Sequence, residues 1–278
     1  MKKLLDIDKL LALSIPDIQE QVRKIKYNLS SEERKIITFS KNYTVSLSNY
    51  CQNECGYCYY NYRIPKEKGE ENVVLLSKEE IKNKTETALK YGCKEAMIMS
   101  GENPEIFPEV QNLLKDYGVN NYLNYVEYIC QYLLEMDILP HINIGLLDLG
   151  EMKTLKNIVA SIGLMLESTS KKLYKDGGVH ENSPGKFPKK RIKHIEMAGK
   201  LKIPFTTGLL LGIGEIMEDR IRDLLLIKKI NDKFGHIQEV IIQNFVKKPH
   251  INYQPPKMIS MKEMLRVAGL AKNIFKNK

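Results

Sequence analysis

Nothing in this sequence comes near the ~20 consecutive apolar residues that a membrane-spanning helix requires. The N-terminal leucines are interrupted by Asp6, Asp8 and Lys9 before a signal-type apolar stretch forms, and no small-residue cleavage site follows. The reading is therefore a chain with no membrane partner and a cytoplasmic location. Low-complexity segments are absent, as is any RNA- or DNA-binding motif, so no nucleic-acid partner is expected. The formal net charge of +9 is spread along the chain, over Lys186, Lys189, Lys190, Arg191 and Lys193, then Lys247 and Lys248, then a tail running from Lys272 to Lys278. It reads as a solvated basic surface. Cysteine is scarce and odd in number, five in 278 residues. That is too few in too long a chain for a secreted disulfide scaffold.

What is present is a globular pattern. Hydrophobic residues make up 43%, enough for a sizeable core. Residues 1–40 look mostly helical, with a start signal at Ser30 and Ser31 followed by Glu32 and Glu33. They form an N-terminal extension to a single domain over 41–278. From there short apolar runs alternate with helical patterns. The runs are Tyr43–Leu47, Glu95–Met99, His141–Leu146, Ile162–Leu166, Phe205–Leu211 and Val240–Phe245. Candidate helices lie near 78–91, 121–136, 149–159, 189–200, 217–233 and 261–275, while Gly69–Asn72 and Pro249–Lys257 read as loops. Six strand–helix units in order predict an α/β fold with a parallel sheet. The runs are nearly all apolar, as in strands covered on both faces. An open doubly wound sheet fits this pattern. A TIM-type (β/α) barrel of about six units is preferred, with its chemistry at the C-terminal strand ends.

Three of the five cysteines fall within eight residues, as Cys51-Gln-Asn-Glu-Cys55-Gly-Tyr-Cys58, directly after the first strand. Thiolates at spacings of four and three can converge from one loop on a cubane iron–sulfur cluster. Gly56 lets the backbone pass close by, and Tyr57 can shield one face. Three ligands for four irons leave one iron able to take the amino and carboxylate groups of S-adenosylmethionine. Zinc fits less well, since it wants four ligands and paired spacings. No second CxxC exists, and the next histidine after the loop is His141. Cys93 and Cys130 lie in or beside helical patterns and read as buried, inert thiols.

Two further segments follow in order. The second run ends Met99-Ser-Gly101-Glu102, where a carboxylate after a glycine could accept the ammonium of a bound amino acid. The fifth reads Gly208-Leu-Leu-Leu-Gly212-Ile-Gly214-Glu215, with glycines that would let a flat ring approach the backbone.

With these pieces the sequence resembles the radical S-adenosylmethionine superfamily, in its biotin-synthase-like branch. Within it, the resemblance is to the 7,8-didemethyl-8-hydroxy-5-deazariboflavin synthases, the first subunit of FO synthase. It runs from about Ile37 to Phe245. The segments that carry it are Ser100-Gly-Glu, Leu139-Pro-His141-Ile-Asn143, Ser161 to Ser168, Ile203-Pro-Phe-Thr-Thr-Gly208 and Gly235 to Phe245. The resemblance implies a 4Fe–4S cluster on Cys51, Cys55 and Cys58, with S-adenosylmethionine as second cofactor. Glu102 would take its ammonium, and Glu167, ending strand four, and Arg191, opening the next helix, its ribose and carboxylate. Gly208, Gly212 and Glu215 would line the cofactor. His141 and Asn143, on one face of strand three, would contact substrate, with Thr206, Gln243 and Asn244 as weaker candidates. The implied substrate is an adduct of tyrosine's 4-hydroxybenzyl group with a ribitylamino-uracil, supplied by the companion FO synthase subunit. Ring closure with loss of ammonia yields the deazaflavin FO, with reduced ferredoxin or flavodoxin as electron donor. Such families continue past the sixth strand, so strand six is expected to carry an unpaired edge. Another radical enzyme of the branch (the companion subunit, a menaquinone-pathway enzyme or a sulfur inserter) and a non-enzymatic metal-binding module stay open. A sulfur inserter would need further cysteines at strand ends, which Cys93 and Cys130 do not supply.

Overall fold

A computed structural model describes residues 7–27 and 39–276. The helix-start signal at Ser30–Glu33 lies outside the described residues. Six strands are described: β1 (Asn42–Ser48), β2 (Glu95–Ser100), β3 (Leu139–Asn143), β4 (Ser161–Gly163), β5 (Phe205–Leu211) and β6 (Ile237–Asn244). All neighbours pair parallel, and their spatial order is their order in the chain. A doubly wound sheet reverses its strand order at a switch point. Here nothing reverses, so the winding is that of a barrel. Among the described residues β1 and β6 each pair on one side alone.

The α-helices among the described residues are α1 (Ile7–Ala12), α2 (Ile15–Tyr27), α3 (Lys78–Lys90), α4 (Pro108–Asp116), α5 (Tyr122–Glu135), α6 (Leu149–Leu155), α7 (Pro188–Lys200), α8 (Met217–Phe234) and α9 (Met261–Phe275). Side chains satisfy first free amides at several helix starts, as Asn121 does for Asn124 N at the start of α5. Ser77 with Glu80, Asp148 with Glu151 and Ser260 with Glu263 form reciprocal capping boxes. The sequence reading missed α4, a short helix that buries Val110 and Leu114 at an i, i+4 spacing. The α1 and α2 segment packs on α9. Arg266 donates to Leu11 O at 2.6 Å and Asn273 to Gln21 Oε1 at 3.0 Å. No helix among the described residues is long and apolar enough to cross a membrane.

One row of side chains ties the sheet to its helices. Val45, Ile98, Ile142, Ile162, Phe205 and Ile237 are successive register partners across all six strands, and each is buried. Burying one such side chain stabilises by roughly 1.5–3 kcal/mol. The alternate row, Met97, His141 and Ser161, faces the other side of the sheet. The expectation of strands covered on both faces holds for β5, buried along its whole length. It fails for β6, where Glu239, Ile241 and Gln243, on the face toward the cavity, are exposed while Val240 and Ile242 on the other face pack on the core. The third and fourth apolar runs are also shorter as strands than the sequence suggested. β3 ends at Asn143 and β4 at Gly163, and the apolar residues beyond them, Ile144 and Leu164, are buried in loops.

Candidate active site

The cysteine loop leaves β1 at a register shift after Ser46 and is pinned at once. Gly101 donates to Ser48 O at 2.7 Å, and Gln52 to Glu102 O at 3.0 Å. Position 101 must be glycine, because a Cβ there would overlap the carbonyl of Tyr50. On its other side the loop is fastened to residues 179–185, in the long connection between β4 and α7. Glu54 donates to Asn182 O at 3.0 Å and Gly56 to Val179 O at 2.8 Å. Gly185 donates to Asn53 Oδ1 at 2.8 Å, and the Tyr57 hydroxyl lies 2.9 Å from His180 Nε2.

Cys51, Cys55 and Cys58 all line one cavity of about 680 Å³ at the C-terminal ends of the strands. Cys51 Sγ accepts the N–H of Glu102 at 3.2 Å and of Asn53 at 3.4 Å. Ser183 Oγ donates to Cys55 Sγ at 3.4 Å. Burial raises the Cys51 thiol above its ordinary pKa, and burial followed by the neighbouring Cys55 pushes Cys58 up to about 11. A metal centre would have to displace protons from these thiols. Among the described residues no three Cys, His or acidic side chains converge closely enough to hold a single ion directly. A cubane presents separate corners and makes a different demand. Three soft thiols on one wall, with donors already aimed at sulfur, fit it.

Four charged side chains stand beside the thiols. Glu102 is buried; Gln52 donates to its Oε1 at 2.7 Å, Leu146 N to its Oε2 at 3.3 Å, and Arg191 Nη2 is 3.8 Å away. Arg191 is buried too and donates to Gly185 O at 3.1 Å and to Met165 O. Glu167 does not end a strand as expected. It lies four residues beyond β4, with φ +63°, in an isolated parallel bridge to Leu209. The left-handed turn carries its carboxylate to Lys186 Nζ, 2.7 Å away. Asp223 on α8 holds this turn from behind. It accepts from Ser168 Oγ at 2.8 Å, from Thr169 N at 3.1 Å and from Thr169 Oγ1. Asn143, Gln243 and Asn244 complete the wall at the ends of β3 and β6.

Other expected residues stand elsewhere. His141 is on the same face as Asn143 but one layer deeper, bonded through Nδ1 to Ser161 Oγ at 2.7 Å. A Cβ at Gly163 would stand 2.7 Å from its Nε2. Thr206 is buried below the rim. Gly208 and Gly212 are each packed closely against a neighbouring residue. A Cβ at 208 would overlap the backbone of Ile241 on β6, and one at 212 would stand 2.8 Å from Ile259. Glu215 is consumed locally, accepting from Gly212 N, Ile213 N and Arg220. Cys130 is buried in α5, its thiol pushed up to about 12 by desolvation, whereas Cys93 is only half-buried, at the N-terminal end of β2. Lys186, Ser183, His180 and Asp223 were missed by sequence reasoning. No spacing relates them to the cysteines, which lie more than 120 residues away along the chain. A larger hollow of about 850 Å³ on the outer side of Glu102 contains no thiol.

Residues 45–227 match the family model described as the Radical SAM superfamily. A 7,8-didemethyl-8-hydroxy-5-deazariboflavin synthase of Methanocaldococcus jannaschii is 42% identical over 273 residues, covering 97% of this chain and 72% of the relative. The chain belongs to the deazariboflavin synthase family of the radical SAM superfamily. The enzyme of that name from Methanococcus aeolicus is 47% identical over 244 residues, 86% of this chain and 66% of the relative. The chain thus spans about two thirds to three quarters of the length of these family members. The fold is also that of the hydrogenase maturase HydG from Carboxydothermus hydrogenoformans, with TM-score 0.74 at 22% identity over 97% of this chain and 62% of that one. Radical SAM family membership makes the chain an enzyme and implies S-adenosylmethionine and a 4Fe–4S cluster as its cofactors.

Proposed function

We propose that this chain closes the deazaflavin ring of FO, acting on the tyrosine–ribitylaminouracil adduct with loss of ammonia. The observation that carries the proposal is the presentation of Cys51, Cys55 and Cys58 on one cavity with Glu102, Glu167 and Arg191. The identity to deazariboflavin synthases supports the substrate class.

Cys51, Cys55 and Cys58 would hold the cluster. When bound, the cluster and S-adenosylmethionine supply one-electron cleavage chemistry and hence a carbon radical able to abstract hydrogen from the adduct. Glu102 would take the ammonium; each of its oxygens accepts one bond from the protein and has a second lone pair left. Arg191 would face the carboxylate, and Glu167, with Lys186 on one oxygen, would offer the other to ribose hydroxyls. Asn143, Gln243 and Asn244 carry paired amide donors and acceptors, which suit the alternating edge of a uracil. His141 would steady Asn143 from the layer beneath. Gly208, Gly212 and Glu215 would shape β5 and its loop without touching cofactor. The companion subunit would supply the adduct, ferredoxin or flavodoxin the electron, and the cytoplasm the setting.

The test is anaerobic reconstitution followed by incubation with adduct, S-adenosylmethionine and reductant. A fluorescent deazaflavin is expected. Cleavage of S-adenosylmethionine with the adduct left unchanged would instead assign the chain to another reaction of the branch.

A further inference from the structure

The three thiols receive donors of different origin. Cys51 Sγ accepts two backbone amides, of Asn53 and Glu102, and Cys58 faces the backbone amide of Asn61. Cys55 instead receives a side chain, Ser183 Oγ at 3.4 Å, from 128 residues along the chain. Ser183 is fully buried and stands at the N-cap of the 3-10 turn Pro184–Lys186. A serine there ordinarily turns its oxygen back to accept from the first turn. This one makes no such bond. Its hydroxyl is directed to the sulfur instead.

The donor is also held rigidly. Ser183 N donates to His180 O at 3.1 Å, and the residues around it grip the cysteine loop through Asn182 O and Gly185 N. A hydroxyl placed this firmly keeps its contact whether the sulfur carries more charge or less.

We propose that Ser183 is a positioning residue that raises the reduction potential of the cluster on Cys51, Cys55 and Cys58 by donating to Cys55 Sγ. The inference rests on the reading that these cysteines hold a 4Fe–4S cluster. Reduction adds one electron, taken from an external reductant such as dithionite, and part of the added charge falls on the ligand sulfurs. A donor aimed at sulfur stabilises the more negative state, and hydrogen bonds to sulfur are among the terms that set cluster potentials. Burial strengthens the effect by excluding water. No covalent bond forms or breaks, and the proton stays on Ser183 Oγ.

The test is a redox titration of the reconstituted full chain, followed by electron paramagnetic resonance, without S-adenosylmethionine. Wild type, Ser183→Ala and Ser183→Thr are compared, with iron content and melting temperature measured on each. Ser183→Ala is expected to shift the midpoint to a more negative value at full iron content and unchanged melting temperature. Ser183→Thr keeps the hydroxyl and is expected to stay at the wild-type midpoint. An unchanged midpoint in a fully loaded Ala variant overturns the inference. So does a Thr variant shifted as far as Ala. Loss of the cluster from Ser183→Ala at unchanged melting temperature overturns it too, because Ser183 would then hold the cluster rather than tune it. A wild-type chain that takes up no iron–sulfur cluster would overturn the underlying reading instead.

Discussion

Gly185 and Glu102 share one space: a Cβ at position 185 would overlap the Glu102 carboxylate. The glycine is required by this close approach and not by its backbone angle. Gly185→Ala is therefore expected to displace a buried carboxylate that Gln52 and Leu146 now hold. Overpacking of this kind costs about 1–3 kcal/mol. Urea denaturation would report the loss. Equilibrium dialysis with S-adenosylhomocysteine should show weaker binding. A variant with wild-type stability and binding would contradict the packing argument.

Cys55→Ala is expected to remove the cluster while leaving the chain folded. The Cys55 backbone stays tied to its neighbour through the Cys58 N to Cys55 O bond at 2.9 Å, and the flanking amides keep their partners in the segment after β4. Two thiolates do not hold a site-differentiated cubane. The visible spectrum should be bleached, the circular dichroism retained, and 5′-deoxyadenosine formation abolished. Retained 5′-deoxyadenosine formation would rule out the ligand assignment.

Asp223 adds a pH-dependent term to stability. Desolvation raises its carboxyl from 3.8 to about 6, outweighing the bonds from Thr169 and Ser168. The folded state then holds this proton more tightly than the unfolded chain. The contribution is complete below pH 3.8 and is lost as pH rises through about 6. At roughly 1.4 kcal/mol per unit, the wild type should lose about 3 kcal/mol relative to Asp223→Asn across that window. Chemical denaturation of both chains between pH 4 and pH 7 measures it, and a pH-independent difference would refute it.

His194 acts in the opposite direction. It is buried on α7, neither ring nitrogen has a hydrogen-bond partner, and burial lowers its pKa from 6.5 to about 3. A depressed pKa gives stability that is present above 6.5 and lost as pH falls toward 3. His194→Leu removes the uncompensated polar ring, whose burial costs about 1–3 kcal/mol. The variant should equal or exceed wild type at pH 7 and gain about 2 kcal/mol on it by pH 5. Denaturation midpoints that fall in parallel in the two chains would show that the ring has a partner.

The amino-acid sequence by itself determined the parts of this protein that depend on near neighbours. The cysteine spacing, the Gly-Glu pair after β2 and the apolar runs were legible because loop reach and side-chain alternation act over a few residues. The run of Phe205–Leu211 matches β5 residue for residue. Short strands were harder, since a brief apolar run has no period that separates strand from loop, and α4 was hard because its nine residues offer few apolar positions beside the buried Val110 and Leu114. What only the tertiary structure decided is which distant groups meet at the thiols. Winding the strands in chain order brings the connection after β4 over the cysteine loop. Ser183, His180 and Lys186 then face residues more than 100 positions away, and no local pattern encodes that contact. Packing against β6 likewise withdrew Gly208 from the cavity, whereas Glu215 is taken up locally, by the amides of Gly212 and Ile213 and by Arg220.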